Sequence, residues 1–68
     1  MKIILNHLPE EIFEKEEISI RELLNYKKYS FKMLVIKVNN QLIKNDQYET
    51  TFIKEGDDVI VLHLMSGG

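Results

Sequence analysis

Few residues in this chain could do covalent chemistry, and the last two, Gly67-Gly68, stand out among them. The 68 residues include no cysteine, which removes thiol nucleophiles, thiolate metal sites and disulfides together. The two histidines, His7 and His63, are far apart in sequence, and a lone histidine is more often a surface or strand residue than a metal ligand. Ser30 and Ser66 have no neighbouring base to activate them. Glu10 and Glu11 point to opposite sides of an extended backbone, so they form no carboxylate pair. The side chains assemble no catalytic set, and the sequence reads as a non-enzyme with no bound cofactor or metal.

The tail offers different chemistry. The chain has three glycines, and two of them are its final residues. A tail threading a narrow channel to an adenylating centre needs a backbone without Cβ atoms that can enter extended, left-handed and mirror-β conformations. A carboxylate is a poor electrophile at neutral pH. Transfer of AMP from ATP would make an acyl-adenylate, and attack by persulfide-derived sulfur would then leave a thiocarboxylate. The expected site is the α-carboxylate of Gly68, with Ser66 and Gly67 completing a tail expected to be mobile.

Such a tail needs a rigid body to present it. Residues 59–64 are the expected last strand, with Val59, Val61, His63 and Met65 on one face and Ile60, Leu62 and Leu64 on the other. One set must face the core. The other is then an apolar row on the solvent side of the sheet unless a loop covers it, and with Ile60, Leu62 and Leu64 outward it is a docking surface beside the tail. The clearest local signal is Ser19 with Glu22, an S-x-x-E capping box, with Ile18 and Leu23 placed for a hydrophobic staple. Ile20, Leu23 and Leu24 share one side of the helix expected over 20–28, and Lys27 and Lys28 oppose its dipole.

The remaining elements follow from pattern. Residues 2–6 read as a strand, broken at His7-Leu8-Pro9, and 11–14 as its antiparallel return. Residues 33–38 form a central strand, Asn39-Asn40-Gln41 a turn and Leu42-Ile43 a short return. Residues 44–53 read as irregular, with Tyr48, Phe52 and Ile53 as buried anchors, and residues 55–58 as a turn. An early hairpin, one helix and further strands define an α+β fold of the β-grasp pattern, a mixed sheet packed on one main helix.

Composition bounds the rest. Sixty-eight residues make a single domain, 1–68, which buries only about 60% of the surface of its unfolded chain. Apolar residues form 44% of the chain and are spread along it, as in a folded globule. A formal charge of −2 with mixed signs leaves no basic footprint for nucleic acid. The acidic residues Glu10, Glu11, Glu14, Glu16 and Glu17 read as a solvated edge and loop. No stretch approaches a membrane span and no signal peptide is read before Met1, so the expected location is the cytoplasm.

Together these residues resemble the ThiS family, the sulfur carrier proteins of thiamine biosynthesis, over essentially the whole chain. The matching pieces are Val38-Asn39, the aromatic Tyr48, Gly56-Asp57 and Gly67-Gly68. The helix start, Ser19-Ile20-Arg21-Glu22-Leu23-Leu24, is similar to the family's T-V-x-E-L-L. Tyr48 stands where the family often has tryptophan, and His7-Leu8-Pro9 departs from a simple Asn-Gly hairpin. The resemblance implies adenylation of Gly68 by a ThiF-type adenylyltransferase using ATP and Mg²⁺. It implies sulfur drawn from cysteine through a desulfurase persulfide, and delivery to thiazole synthase (ThiG). Ile60, Leu62, Leu64, Met65 and Ser66 would contact both partners. The related MoaD carriers of molybdopterin synthesis are usually longer and tend to carry an aromatic-Pro-Pro segment before their Gly-Gly. Here that stretch is Leu62-His63-Leu64-Met65, without proline. Other β-grasp sulfur carriers, and a ubiquitin-like modifier joined through Gly68, are the alternatives.

Overall fold

The computed structural model describes residues 1–29 and 33–64. Its elements are β1 (Lys2–Leu5), β2 (Leu8–Glu11), β3 (Glu17–Ser19), α1 (Ile20–Tyr26), β4 (Leu34–Val38), β5 (Gln41–Ile43), a 3₁₀ turn at Asn45–Gln47, β6 (Phe52–Lys54) and β7 (Asp58–His63). Five strands form one sheet in the order β2-β1-β7-β4-β5, and β3 pairs with β6 in a separate two-stranded sheet. Only β1 and β7 run parallel within the large sheet, so it is mixed.

Two tight turns set the register. Asn6 and His7 have φ of 51° and 69°, and Asn39 and Asn40 have φ of 50° and 70°. Positive φ at both central residues makes each a two-residue hairpin turn whose twist matches the strands it joins. The first hairpin differs from the expectation. Its turn is Asn6-His7, and Pro9 lies inside β2, opposite Ile4, rather than breaking the chain. Ile4 turns its N–H toward the other side, to Asp57 O at 2.9 Å. Pro9 therefore needs no ladder donor at that pair, and β2 is a sheet edge where proline is tolerated. Ile12, expected in the return strand, lies beyond β2 and is buried.

Helix α1 begins as its capping box requires. Glu22 N–H donates to Ser19 Oγ at 3.1 Å, and Ser19 N–H donates to Glu22 Oε1 at 3.0 Å. The helix ends at Tyr26, two residues short of the expected end. Lys28 is left-handed at φ 59°, with Lys28 N–H bonded to Asn25 O and Tyr29 N–H to Leu24 O. These two bonds are a Schellman close, which satisfies carbonyls the helix would otherwise leave open. Lys27 thus caps the helix rather than opposing its dipole in the last turn, and its Nζ reaches Glu10 Oε1 at 3.0 Å. That contact ties the helix end to the β2 edge.

The core joins Ile20, Leu23 and Leu24 of the helix to Ile3, Ile36, Ile53 and Val59 from the strands. The stretch expected to be irregular contains β6, where Ile53 pairs with Ile18 of β3. Tyr48 and Ile53 are buried, as expected. Phe52 is 50% exposed, because alternation along β6 turns it away from the side that buries Ile53. The Arg21 guanidinium lies 5.3 Å from the centre of the Tyr48 ring and donates from Nε to Glu49 Oε1 at 2.8 Å.

Candidate functional site

Strand β7 is the middle strand of the sheet, and its position follows from how it is held at both ends. At its start, Asp57 is buried and its carboxylate accepts from Lys54 N–H at 2.9 Å and from Asn39 Nδ2 at 3.1 Å. Asn39 Oδ1 accepts in turn from Asp58 N–H at 2.9 Å. Gly56 precedes this cluster at φ 84°, a conformation that side chains disfavour, and its N–H donates to Lys2 O at 2.8 Å. Asn39 and Asp57 are 18 residues apart in sequence and meet here, so two of the pieces that carry the family resemblance form one joint. Further along, Asn6 clamps β7 from the first turn: its N–H donates to Val59 O, and its Oδ1 accepts from Val61 N–H at 2.8 Å. Leu64 N–H donates to Met33 O at 2.8 Å, which keeps the strand end against β4.

Its side chains divide between two environments. Val59 and Val61 are buried in the core. Ile60 is half-buried, while Leu62 and Leu64 are 51% and 47% exposed. His63 is exposed despite sharing the parity of the core valines. Met65, Ser66, Gly67 and Gly68 lie outside the described residues, as does Ser30.

Cross-strand register shows what surrounds the Ile60–Leu62–Leu64 row. Ile60 pairs with Lys37, and Leu62 pairs with Val35 of β4. Lys37 pairs in turn with Leu42 of β5. Ile4, Met33 and Leu42 also keep exposed apolar surface. The sheet side opposite the helix is therefore a broad apolar face of several strands, not a single row. Sequence reasoning missed Val35, Lys37 and Leu42. The alternation about Ile36 places Val35 and Lys37 together on one face, but only the register sets them beside β7.

The charged residues on this side are Lys37 and Asp58, with Lys2 and Glu11 toward the β2 edge. The nearby ion pair at the sheet edge joins Glu11 to the Met1 ammonium at 3.3 Å. The perturbed carboxyls lie elsewhere. Glu22 is held below its usual range, first by the hydrogen bond from the Ser19 backbone and second by the Ser19 side chain. Glu49 is lowered chiefly by its hydrogen bond from Arg21. The Glu10 hydrogen bond raises Lys27. None of these groups lies on β7. A cleft of about 380 Å³ is lined by residues including Ile12, Phe13, Ile18 and Tyr26, beside the helix and away from β7. Among the described residues, no group of three or more His, Asp or Glu side chains is placed to hold a metal ion. No helix among them is long and apolar enough to cross a membrane.

A mixed sheet wrapped on one side of a single helix, with a central last strand leading into the C-terminal residues, is the ubiquitin-like β-grasp. The family model described as ThiS family matches residues 3–68, and the chain belongs to the ThiS family. Two solved structures from Geobacter metallireducens are similar. A crystal structure of its thiamine biosynthesis protein (ThiS) is 26% identical, covers all of both chains and superposes with a TM-score of 0.90. A solution structure of a thiamine biosynthesis protein from that organism is 26% identical, with all of this chain and 88% of the other covered and a TM-score of 0.81. A search of curated proteins gives no match. The chain takes its place among the small sulfur carriers of this family.

Proposed function

We propose that the protein carries sulfur on the α-carboxyl group of Gly68 for thiamine biosynthesis. A carboxylate oxygen of Gly68 attacks the α-phosphorus of ATP in a ThiF-type adenylyltransferase, with Mg²⁺ held by that partner, and pyrophosphate leaves. The terminal sulfur of a cysteine-derived persulfide then attacks the acyl carbon, and AMP departs. Cleavage of the resulting S–S bond by a second thiol, which supplies the electrons by exchange, leaves the thiocarboxylate. Thiazole synthase receives the sulfur. The carrier contributes recognition and presentation, and its side chains take no part in bond making.

The observation that best supports this reading is the position of β7 in a chain of the ThiS family. The strand that leads to Gly68 is central, fixed by Asn39, Asp57 and Asn6, and turns Ile60, Leu62 and Leu64 away from the core valines. A rigid strand with an apolar outer side gives a partner both a grip and a defined direction for the tail. The test is incubation of the full chain with its adenylyltransferase, ATP, Mg²⁺ and a persulfide donor. Thiolation is expected for the intact chain and lost on deletion of Gly68, with an unchanged circular dichroism spectrum. Thiolation of the truncated chain would show that Gly68 is not the site.

A further inference from the structure

Lys37 is the cation set among the apolar rows of this face, whose other charged residues are Asp58 at the start of β7 and Lys2 and Glu11 toward the β2 edge. Register places it between Ile60 of β7 and Leu42 of β5, so its row reads apolar, cationic, apolar. The next row toward the end of β7 pairs Val35 with Leu62. Lys37 is half-buried, and among the described residues it makes no ion pair. Asp58 is its diagonal neighbour across the β4–β7 pairing, a relation that separates residues by about 7–8 Å, and no salt bridge joins them.

While the face is open, this arrangement is harmless: the alkyl stem lies along apolar surface and the ammonium stays in water. A partner closing over Ile60 and Leu42 takes that route to water away. An ammonium buried without a counter-charge opposes docking, whereas one met by a carboxylate is compensated and fixes the register of the two surfaces.

We propose that the partner activating the tail docks on this face and sets a carboxylate against Lys37 within an otherwise apolar contact. The inference rests on the sulfur-carrier reading and names the chemistry of the surface that reads the carrier. Continuity ties the face to that partner. Ile60 to Leu64 spans about 13 Å along the strand, and the four residues beyond Leu64 can add at most about 14 Å. Whatever encloses Gly68 is thus within reach of the Lys37 row. The apolar rows supply contact area, and the ion pair selects the partner and its orientation.

The test uses the full chain with its adenylyltransferase. ATP–pyrophosphate exchange is read against carrier concentration, and binding is read separately by calorimetry. Lys37→Glu is expected to raise both the carrier KM and the Kd by about tenfold or more, with kcat within about twofold. Lys37→Met keeps the stem but leaves the partner's carboxylate without its counter-charge; it is expected to raise both, by less than Lys37→Glu does. Thermal melts of both variants should match wild type. An unchanged Kd for Lys37→Glu overturns the proposal. If the wild-type chain binds but supports no exchange, the carrier reading fails and the Kd series still decides the role of Lys37. If it neither binds nor supports exchange, both fall.

Discussion

Adjacent residues of β7 should separate stability from recognition, and Val61 and Leu62 make the sharpest pair. Val61 is 7% exposed and Leu62 is 51% exposed, on opposite faces of one strand. Removing one core methyl, as in Ile→Val, costs about 0.5–1.5 kcal/mol, so Val61→Ala should cost about 2 kcal/mol. At about 4–8 °C per kcal/mol for a domain of this size, that is a fall in Tm of about 8–16 °C. Full burial of a leucine side chain is worth about 1.5–3 kcal/mol, and Leu62 realises about half of this in the free protein. Leu62→Ala should therefore cost about 1 kcal/mol of stability, half of the value for full burial. Its other half is available to a partner: about 1 kcal/mol, or roughly fivefold in the carrier KM of the adenylyltransferase. Leu62→Asp adds an unpaired charge to the contact and should weaken docking further. The assay is a thermal melt of each variant, followed by ATP–pyrophosphate exchange at a temperature where each is folded. A Leu62 variant that melts far below Val61→Ala, or a Val61 variant that alone raises KM, would refute the assignment of the two faces.

Two further outcomes follow from the joints around the strand. Asp57→Ala leaves Lys54 N–H and Asn39 Nδ2 without their partner; it should cost about 1–3 kcal/mol in a denaturant melt, and a cost below about 0.5 kcal/mol would mean that water replaces the carboxylate freely. Glu22 has a folded pKa below its unfolded one, so its contribution is present above the unfolded value, about 4.3, and is lost as pH falls through the folded value. Glu22→Gln keeps an acceptor for Ser19 N–H but cannot titrate, so its stability should decline less steeply than wild type below about pH 4.3 in acid denaturation; parallel curves would contradict the capping assignment.

What could be read from the sequence was largely what is local. Ser19 and Glu22 declare a helix start because both bonds close within four residues. Alternation in 59–64 separates Val59 and Val61 from Ile60 and Leu62, because period two is a property of the strand itself. The first turn was concealed by Pro9, which advertises a break that the sheet edge makes unnecessary, although Asn6 and His7 are both residues that enter positive φ more readily than most. Strands β3 and β6, three residues each, carry too little pattern to be seen, and Ile18 finds Ile53 only when the chain folds. The helix end was read too far along because Lys28 supplies the left-handed residue that glycine more often provides. At the site, the Ile60–Leu62–Leu64 row was legible but its neighbours were not. Placing Lys37 between Ile60 and Leu42 needs the register of three strands, and no local pattern contains it.

The central claim concerns one functional group, and mass spectrometry reads it directly. The full chain is incubated with the ThiF-type adenylyltransferase, ATP, Mg²⁺ and a persulfide donor, and the intact protein and its C-terminal peptide are then weighed. The account predicts a gain equal to the exchange of one oxygen for one sulfur, confined to Gly68 and discharged when thiazole synthase and its substrates are added. An unchanged mass with an active enzyme, or sulfur found on any other residue, would contradict it.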